Sequence, residues 1–290
     1  MRPLTIQSNG MGQQSIAMYL LSSLGHIPRF DHSIFVDPGS EKKETYQYLE
    51  RLKEWEIKNN GVPLHIVYEK NLYDDLIAGT NSTGNRFASI PAFTLDQNGE
   101  KGILRRQCTA EYKLDSFYKY VRHEIFKLKP KQWVPKETKI AIGITMEEKS
   151  RIRMPDNNRL INLYPFLNLE TRNFAKPNSV YLSNQEYDYC YGWYRSDCNK
   201  FIKSLGLPIP PKSSCTFCPY QRNSEWQDLK LNHPDEFEKV ALLDEAIRDS
   251  SKKGVNNPIY LHSECKPLRE VDFTKQQYEL FTECEGVCNT

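Results

Sequence analysis

Apolar and polar residues alternate in blocks along the first half of this chain. A short apolar run at 4–8 predicts a strand, and the apolar stretch that follows at about 13–24 predicts a helix. Ser33-Ile-Phe-Val-Asp37 predicts a second strand. Tyr46, Leu49, Leu52 and Trp55 then recur at spacings near 3.6 residues, which predicts a helix over about 41–59. Pro63 to Tyr68 reads as a third strand and Leu72 to Ala78 as a short helix. Asp115 to Phe126 reads as a further helix, and Lys139 to Ile144 as a strand buried on both faces. Strands alternating with helices predict an α/β fold: an open, mostly parallel sheet with helices on both faces, Rossmann-like in its layering.

Beyond residue 150 the pattern changes. Prolines and aromatics increase and strand signals shorten. Residues 173–194 are rich in Tyr and Asn and read as an inserted loop or small hairpin. Asp197 to Leu205 predicts a short helix ended by Gly206, and Pro234 to Asp249 an amphipathic one. The expected organisation is therefore an α/β domain over 1–150 and a smaller, cysteine-containing C-terminal part over 151–290.

Composition narrows the classes. The chain has 290 residues, 39% of them hydrophobic and 26% charged, as ordinary globular proteins do. No run approaches the ~18 apolar residues of a membrane span. The first residues enter a strand with no secretory pattern, so a cytoplasmic protein with no membrane partner is expected. Net charge is +2, too small for a global field that favours nucleic acid. The local clusters at Arg105-Arg106, Lys127 to Lys136, and Arg151 with Arg153 read first as solvated faces. Eight cysteines in such a chain read as metal ligands or redox groups rather than structural disulfides.

Three motifs carry chemistry. The first is Ser8-Asn9-Gly10-Met11-Gly12-Gln13-Gln14-Ser15, a strand end, a glycine turn and a helix start. N–H groups freed at a helix start form an anion cradle, and glycine lets the backbone approach closely. The spacing is neither the dinucleotide fingerprint nor a Walker loop. Plain α/β packing is the alternative. Asp37, at the end of the second strand, could hold a ribose hydroxyl or a metal; Ser40 could contact phosphate or cap a helix.

The second motif is Cys215-Thr-Phe-Cys218-Pro. This spacing serves zinc, iron–sulfur clusters and dithiol pairs alike. Two further ligands must come from elsewhere. Cys108 and Cys198, both near arginines, are the first candidates; Cys190 and Cys265 stand behind them. The third motif is the terminal Glu283-Cys284-Glu-Gly-Val-Cys288, suited to a nucleophile or thiol shuttle, or else an incidental end. Glu147 and Glu148 could position Arg151 or a metal, or sit on a solvated helix start.

Taken in order, these segments resemble the phosphoadenosine-phosphosulfate reductase family of the PP-loop adenine-nucleotide superfamily. The loop at 8–15 looks like its PP-loop. Phe35 to Tyr46 looks like its second-strand signature. Arg106-Gln-Cys-Thr-Ala-Glu-Tyr-Lys-Leu114 is similar to its first cysteine segment, and Gly143-Ile-Thr-Met-Glu-Glu-Lys-Ser-Arg151 to a Gly-Ile-x-x-x-Glu-x-x-Arg element. Pro211 to Tyr220 with Glu225-Trp226 resembles its C-x-x-C segment. The chain departs from better-known members in three places. Gln14 stands where many ATP-using loops have Asp, Cys108 lacks an adjacent cysteine, and the tail has no His. The pattern resembles a divergent branch found with phage and mobile elements.

The resemblance implies an adenine nucleotide on Ser8 to Ser15, with Asp37, Ser40 and Gly143 beside it. It implies that Arg105, Arg106, Lys113 and Arg151 hold the sulfate or phosphate ends. It implies a 4Fe–4S cluster, ahead of zinc, on Cys108, Cys198, Cys215 and Cys218, and Cys284 or Cys288 as nucleophile. The leading expectation is a sulfonucleotide reductase working with a thiol reductant. The alternatives are an ATP-dependent, magnesium-assisted enzyme that adenylates DNA or RNA and replaces oxygen with sulfur from a cysteine desulfurase, or a non-catalytic, zinc-stabilised nucleotide-binding domain.

Overall fold

The computed structural model describes residues 2–155, 157–172, 185–251 and 254–275, and the backbone of 178–181. The chain begins β1 (Thr5–Ser8), α1 (Gln13–Ser23), β2 (His32–Asp37), α2 (Lys43–Asn59), β3 (Leu64–Tyr68) and α3 (Leu72–Ile77). Two short strands follow, β4 (Phe93–Leu95) and β5 (Lys101–Ile103). A helix then runs through α4 (Asp115–Tyr120), widened to π turns at Thr109–Leu114 and Val121–Ile125. After it come β6 (Thr138–Ala141), β7 (Leu160–Tyr164), β8 (Leu169–Arg172) and β9 (Asn178–Tyr181). The remaining elements are α5 (Arg195–Ser204), α6 (Asn223–Asn232), α7 (Pro234–Ala246) and β10 (Ile259–Tyr260).

The main sheet has the order β3-β2-β1-β6-β7-β8-β9. β3, β2, β1, β6 and β7 are parallel; β8 and β9 return antiparallel at one edge. Side chains alternate across it as a strand requires. Phe35 packs into the core formed with α1, α2 and α5, whereas Ile34 and Val36 pack with Phe117 and Val121 on the opposite face. Ile140 and Ala141 of β6 divide the same way. Helices therefore cover both faces, as the strand–helix alternation predicts. α1 is buried on every side because α5 closes over it, which explains its apolar, weakly amphipathic sequence.

A second, antiparallel sheet joins β10, β4 and β5 in that order. It belongs to a third core in which residues 72–112 pack with 217–273, including Trp226 and the inner faces of α6 and α7. Buried Asp244 of α7 ties this part together by accepting the Leu261 and Leu268 N–H groups at 2.8 and 3.0 Å. The packing units thus interleave along the chain. The main sheet continues past residue 150 through β7–β9, and the segment before α4 packs with the C-terminal third. The main sheet is thus unbroken at residue 150. Among the described residues no helix is long and apolar enough to cross a membrane.

Candidate functional site

β1 lies between β2 and β6, so connections leave it in opposite directions along the sheet. This is the switch point at which open α/β sheets carry ligands beyond their strand ends. The loop from Asn9 to Gly12 sits there. The Asn9 N–H donates to the Ile34 carbonyl at 2.9 Å, and its Oδ1 accepts the Met11 N–H at 2.9 Å. Met11 takes a left-handed conformation, φ 59°, and its side chain is buried. The Gly10 N–H donates to Ser15 Oγ at 3.3 Å. Beneath the loop, Gln7 Nε2 donates to the Ser15 carbonyl at 2.7 Å and Ser33 Oγ donates to Gln7 Oε1 at 3.0 Å.

Gly12 is the N-cap of α1, and no side chain caps that helix. A Cβ built on Gly12 meets nothing within 4 Å. Open space therefore lies beside Gly12, and no side chain of the described residues caps the positive dipole end of α1. Gly143 allows a close approach instead. A Cβ there would lie 3.1 Å from both Gln14 C and Ser15 N, so any side chain would have to push the start of α1 back by a few tenths of an ångström.

Side chains around this loop are held by ion pairs. Gln14 Nε2 donates to Glu148 Oε2 at 2.9 Å. Glu148 is buried and also pairs with Arg151, with Arg195 3.9 Å away. Glu148 thus links Arg151 to the loop, which answers whether that carboxylate positions an arginine or merely faces solvent. From α5, Asn199 Nδ2 donates to Gln13 Oε1 at 3.0 Å. Asp37 Oδ1 accepts the Gly39 N–H at 2.8 Å and the Tyr46 hydroxyl at 2.9 Å. Burial pushes the Asp37 carboxyl up, and these two bonds oppose that shift. Among the described residues Ser40 Oγ, which is buried, has no hydrogen-bond partner.

The C-x-x-C segment docks beside Ser40. The Thr216 N–H donates to the Ser40 carbonyl at 2.9 Å, and Glu41 forms an antiparallel bridge with Cys215. The Glu41 side chain, fully buried, pairs with Lys113 at 2.8 Å and accepts Ser213 Oγ at 3.0 Å. Burial works against the Lys113 charge, but Glu41 and the neighbouring Cys215 outweigh it and raise its pKa. Arg106 lies over the Tyr220 ring and donates to Thr109 Oγ1 at 3.1 Å through Nη2.

Two clefts lie here on either side of shared residues. One, about 570 Å³ and open to solvent, is lined by Cys108, Cys215, Cys218, Arg106 and Ser214, among others. The other, about 380 Å³, is lined by Ser8, Asn9 and Gly10 of the loop and by Val36 and Phe117. Thr109 and Lys113 line both. They stand four residues apart on one helical stretch, so two successive turns form the common wall. Comparison with protein-family models and with curated proteins finds no match for this chain.

Most predicted site residues come together, and the exceptions have physical causes. Ser8 to Ser15, Lys113 and Gly143 surround the loop or touch it, with Arg151 joined through Glu148; Asp37 and Ser40 end the neighbouring strand. Arg105 is exposed and lines neither cleft. Cys198 does not line the C-x-x-C cleft; it is buried in the α1–α5 core, where burial first and then Cys190 push its thiol up. Its place on α5, in line with Phe201 and Ile202, makes it a packing residue. Cys265 is buried near Thr94, also away from this cleft. Cys284 and Cys288 lie outside the described residues. The shared wall residue Thr109 and the Lys113 partner Glu41 are not singled out by spacing; the only sequence signal for either is its place within a motif segment.

Burial pushes the thiols of Cys108, Cys215 and Cys218 up, with Arg106 and Lys113 opposing this at Cys108. Three sulfur donors line one cleft, and thiolates as a class favour thiophilic metals. Among the described residues no three His, Cys, Asp or Glu side chains are gathered as a single ion requires.

Proposed function

We propose that this protein binds an adenine nucleotide on the Asn9–Ser15 loop and performs thiol-dependent sulfur chemistry on it, as a phosphoadenosine-phosphosulfate reductase does. The observation that carries the proposal is the common wall. Thr109 and Lys113 border the loop cleft and the cysteine cleft together, so an anion seated on the loop extends toward the thiols. The resemblance of the motif segments adds the nucleotide's identity.

In this reading the α1 N–H groups bind the 5′-phosphate, and Lys113 and Arg106 hold the sulfonyl oxygens. A tail thiolate, Cys284 or Cys288, attacks the sulfur of the sulfonucleotide. The sulfur–oxygen bond breaks, and the adenosine phosphate leaves with the electron pair. A second thiolate then attacks the cysteine sulfur of the resulting thiosulfonate. Sulfite leaves, a disulfide remains, and an external dithiol reduces it. Asn223 Nδ2 donates to the Lys275 carbonyl at 2.9 Å, which fixes the start of the tail beside α6, directly after the C-x-x-C segment. Nine residues from Lys275 to Cys284 can span up to about 30 Å. Cys108, Cys215 and Cys218, which line one cleft, would be the ligands of an iron–sulfur cluster, or of zinc once drawn closer together, and a cluster would supply electron transfer.

The test is the full chain, purified anaerobically and supplied with a sulfonucleotide and a dithiol. Release of adenosine bisphosphate or AMP is expected, and Cys284→Ser is expected to abolish it. Pyrophosphate release from ATP, dependent on DNA or RNA and without sulfonucleotide cleavage, would replace this reading with adenylating sulfur transfer. Failure of every adenine nucleotide to bind would remove both.

Metal analysis gives a separate check. Cys108→Ser, Cys215→Ser and Cys218→Ser are each expected to lower bound metal severalfold. Cys198→Ser is expected to leave it unchanged, because that thiol packs in a different core. Iron with sulfide identifies a cluster, and zinc alone the simpler site.

A further inference from the structure

The segment 127–136, Lys-Leu-Lys-Pro-Lys-Gln-Trp-Val-Pro-Lys, precedes β6. It therefore lies at the N-terminal ends of the parallel strands, opposite the nucleotide loop. Lys127, Lys129, Lys131 and Lys136 are all exposed, and Trp133 is 62% exposed. It is the one exposed tryptophan of the chain's four. The nearby carboxylates are already engaged: Glu124 pairs with Lys127, and Glu137 with Arg172. Among the described residues no ion pair involves Lys129, Lys131 or Lys136.

This segment is fixed in shape. Leu128 and Val134 are buried in the sheet core. Arg122 Nη2 donates to the Gln132 carbonyl at 3.1 Å, and Arg159 Nε to the Val134 carbonyl at 2.7 Å. Gln132 Oε1 accepts the Lys129 N–H at 2.8 Å. An indole and three unpaired ammonium groups are thus presented on a pinned loop, so little conformational entropy is lost when a ligand settles there.

We propose that this loop binds single-stranded nucleic acid, with Lys129, Lys131 and Lys136 on phosphates and Trp133 stacked on a base. The lysines alone would suit any polyanion. The indole decides between classes, since a base stacks on an aromatic face and an acidic peptide offers nothing to it. A lipid surface would need more apolar area than one indole among lysines. The inference does not rest on the reaction proposed above, because the loop lies at the other end of the sheet.

The experiment is tryptophan fluorescence of the full chain titrated with oligothymidylate at several salt concentrations, with saturating adenine nucleotide present to occupy the loop cleft. Quenching is expected, with log affinity falling against log salt at a slope of about −2, the value for three phosphate contacts on a single strand. Trp133→Leu should lose the quench. The triple variant K129E, K131E, K136E should lose at least about tenfold in affinity and most of the salt slope, while binding adenine nucleotide as the parent does. Absence of quenching, an unchanged affinity in the triple variant, or equal binding of polyglutamate or phosphatidylglycerol vesicles would overturn the proposal.

Discussion

Gly12→Asp is expected to stabilise the fold and destroy nucleotide binding in the same molecule. Gly12 caps α1 with no side-chain bond, and open space surrounds its Cβ position. An aspartate there can accept a first-turn N–H and face the positive end of the helix, for a gain of about 0.5–1 kcal/mol. The same carboxylate would sit where the phosphate must. Two like charges about 4 Å apart in a site of intermediate dielectric repel by roughly 4 kcal/mol. Screening reduces this, and a loss of about 100- to 1000-fold in affinity is expected. Urea unfolding and equilibrium nucleotide binding measure the two effects. A variant that is more stable yet binds nucleotide as the parent does would show that the anion sits elsewhere.

Lys113→Met is expected to cost about 3–5 kcal/mol of stability, the usual price of leaving one partner of a buried ion pair alone. Glu41 has no exposed side-chain surface, and Lys113 is its only ion-pair partner among the described residues. The double variant K113M, E41Q removes both charges and is expected to recover most of that stability, as read from urea midpoints. Binding of a nucleotide bearing a sulfonyl or phosphate end should stay weak in both variants, because the cation on the common wall is gone. The pH dependence follows from the raised lysine. A group whose folded pKa lies above its unfolded value stabilises fully below the unfolded value, about 10.4 for lysine, and loses that contribution as pH rises through the folded one. The parent should therefore lose stability on the alkaline side more steeply than the double variant.

The amino-acid order by itself determined the layering. Alternating apolar strands and 3.6-residue periodicity at 4–68 and 115–144 set the parallel sheet with helices on both faces, because burial of one face is a local property of each element. It also determined the glycine turn ahead of the α1 start, a local geometry that Asn9, Gly10 and Gly12 specify. The short strands β4, β5 and β10 and the interleaving of 72–112 with 217–273 were decided by tertiary packing. Three-residue strands carry too little periodicity to be read, and their pairing is non-local. The metal-ligand candidates show the same division. Nothing near Cys198 in sequence separates it from Cys108, yet α5 turns it toward α1 while Cys108 meets Cys215 and Cys218 across a cleft. Which side chains share a wall depends on helix rotation and docking, and that is why Thr109, Lys113 and Glu41 became a site only in the folded chain.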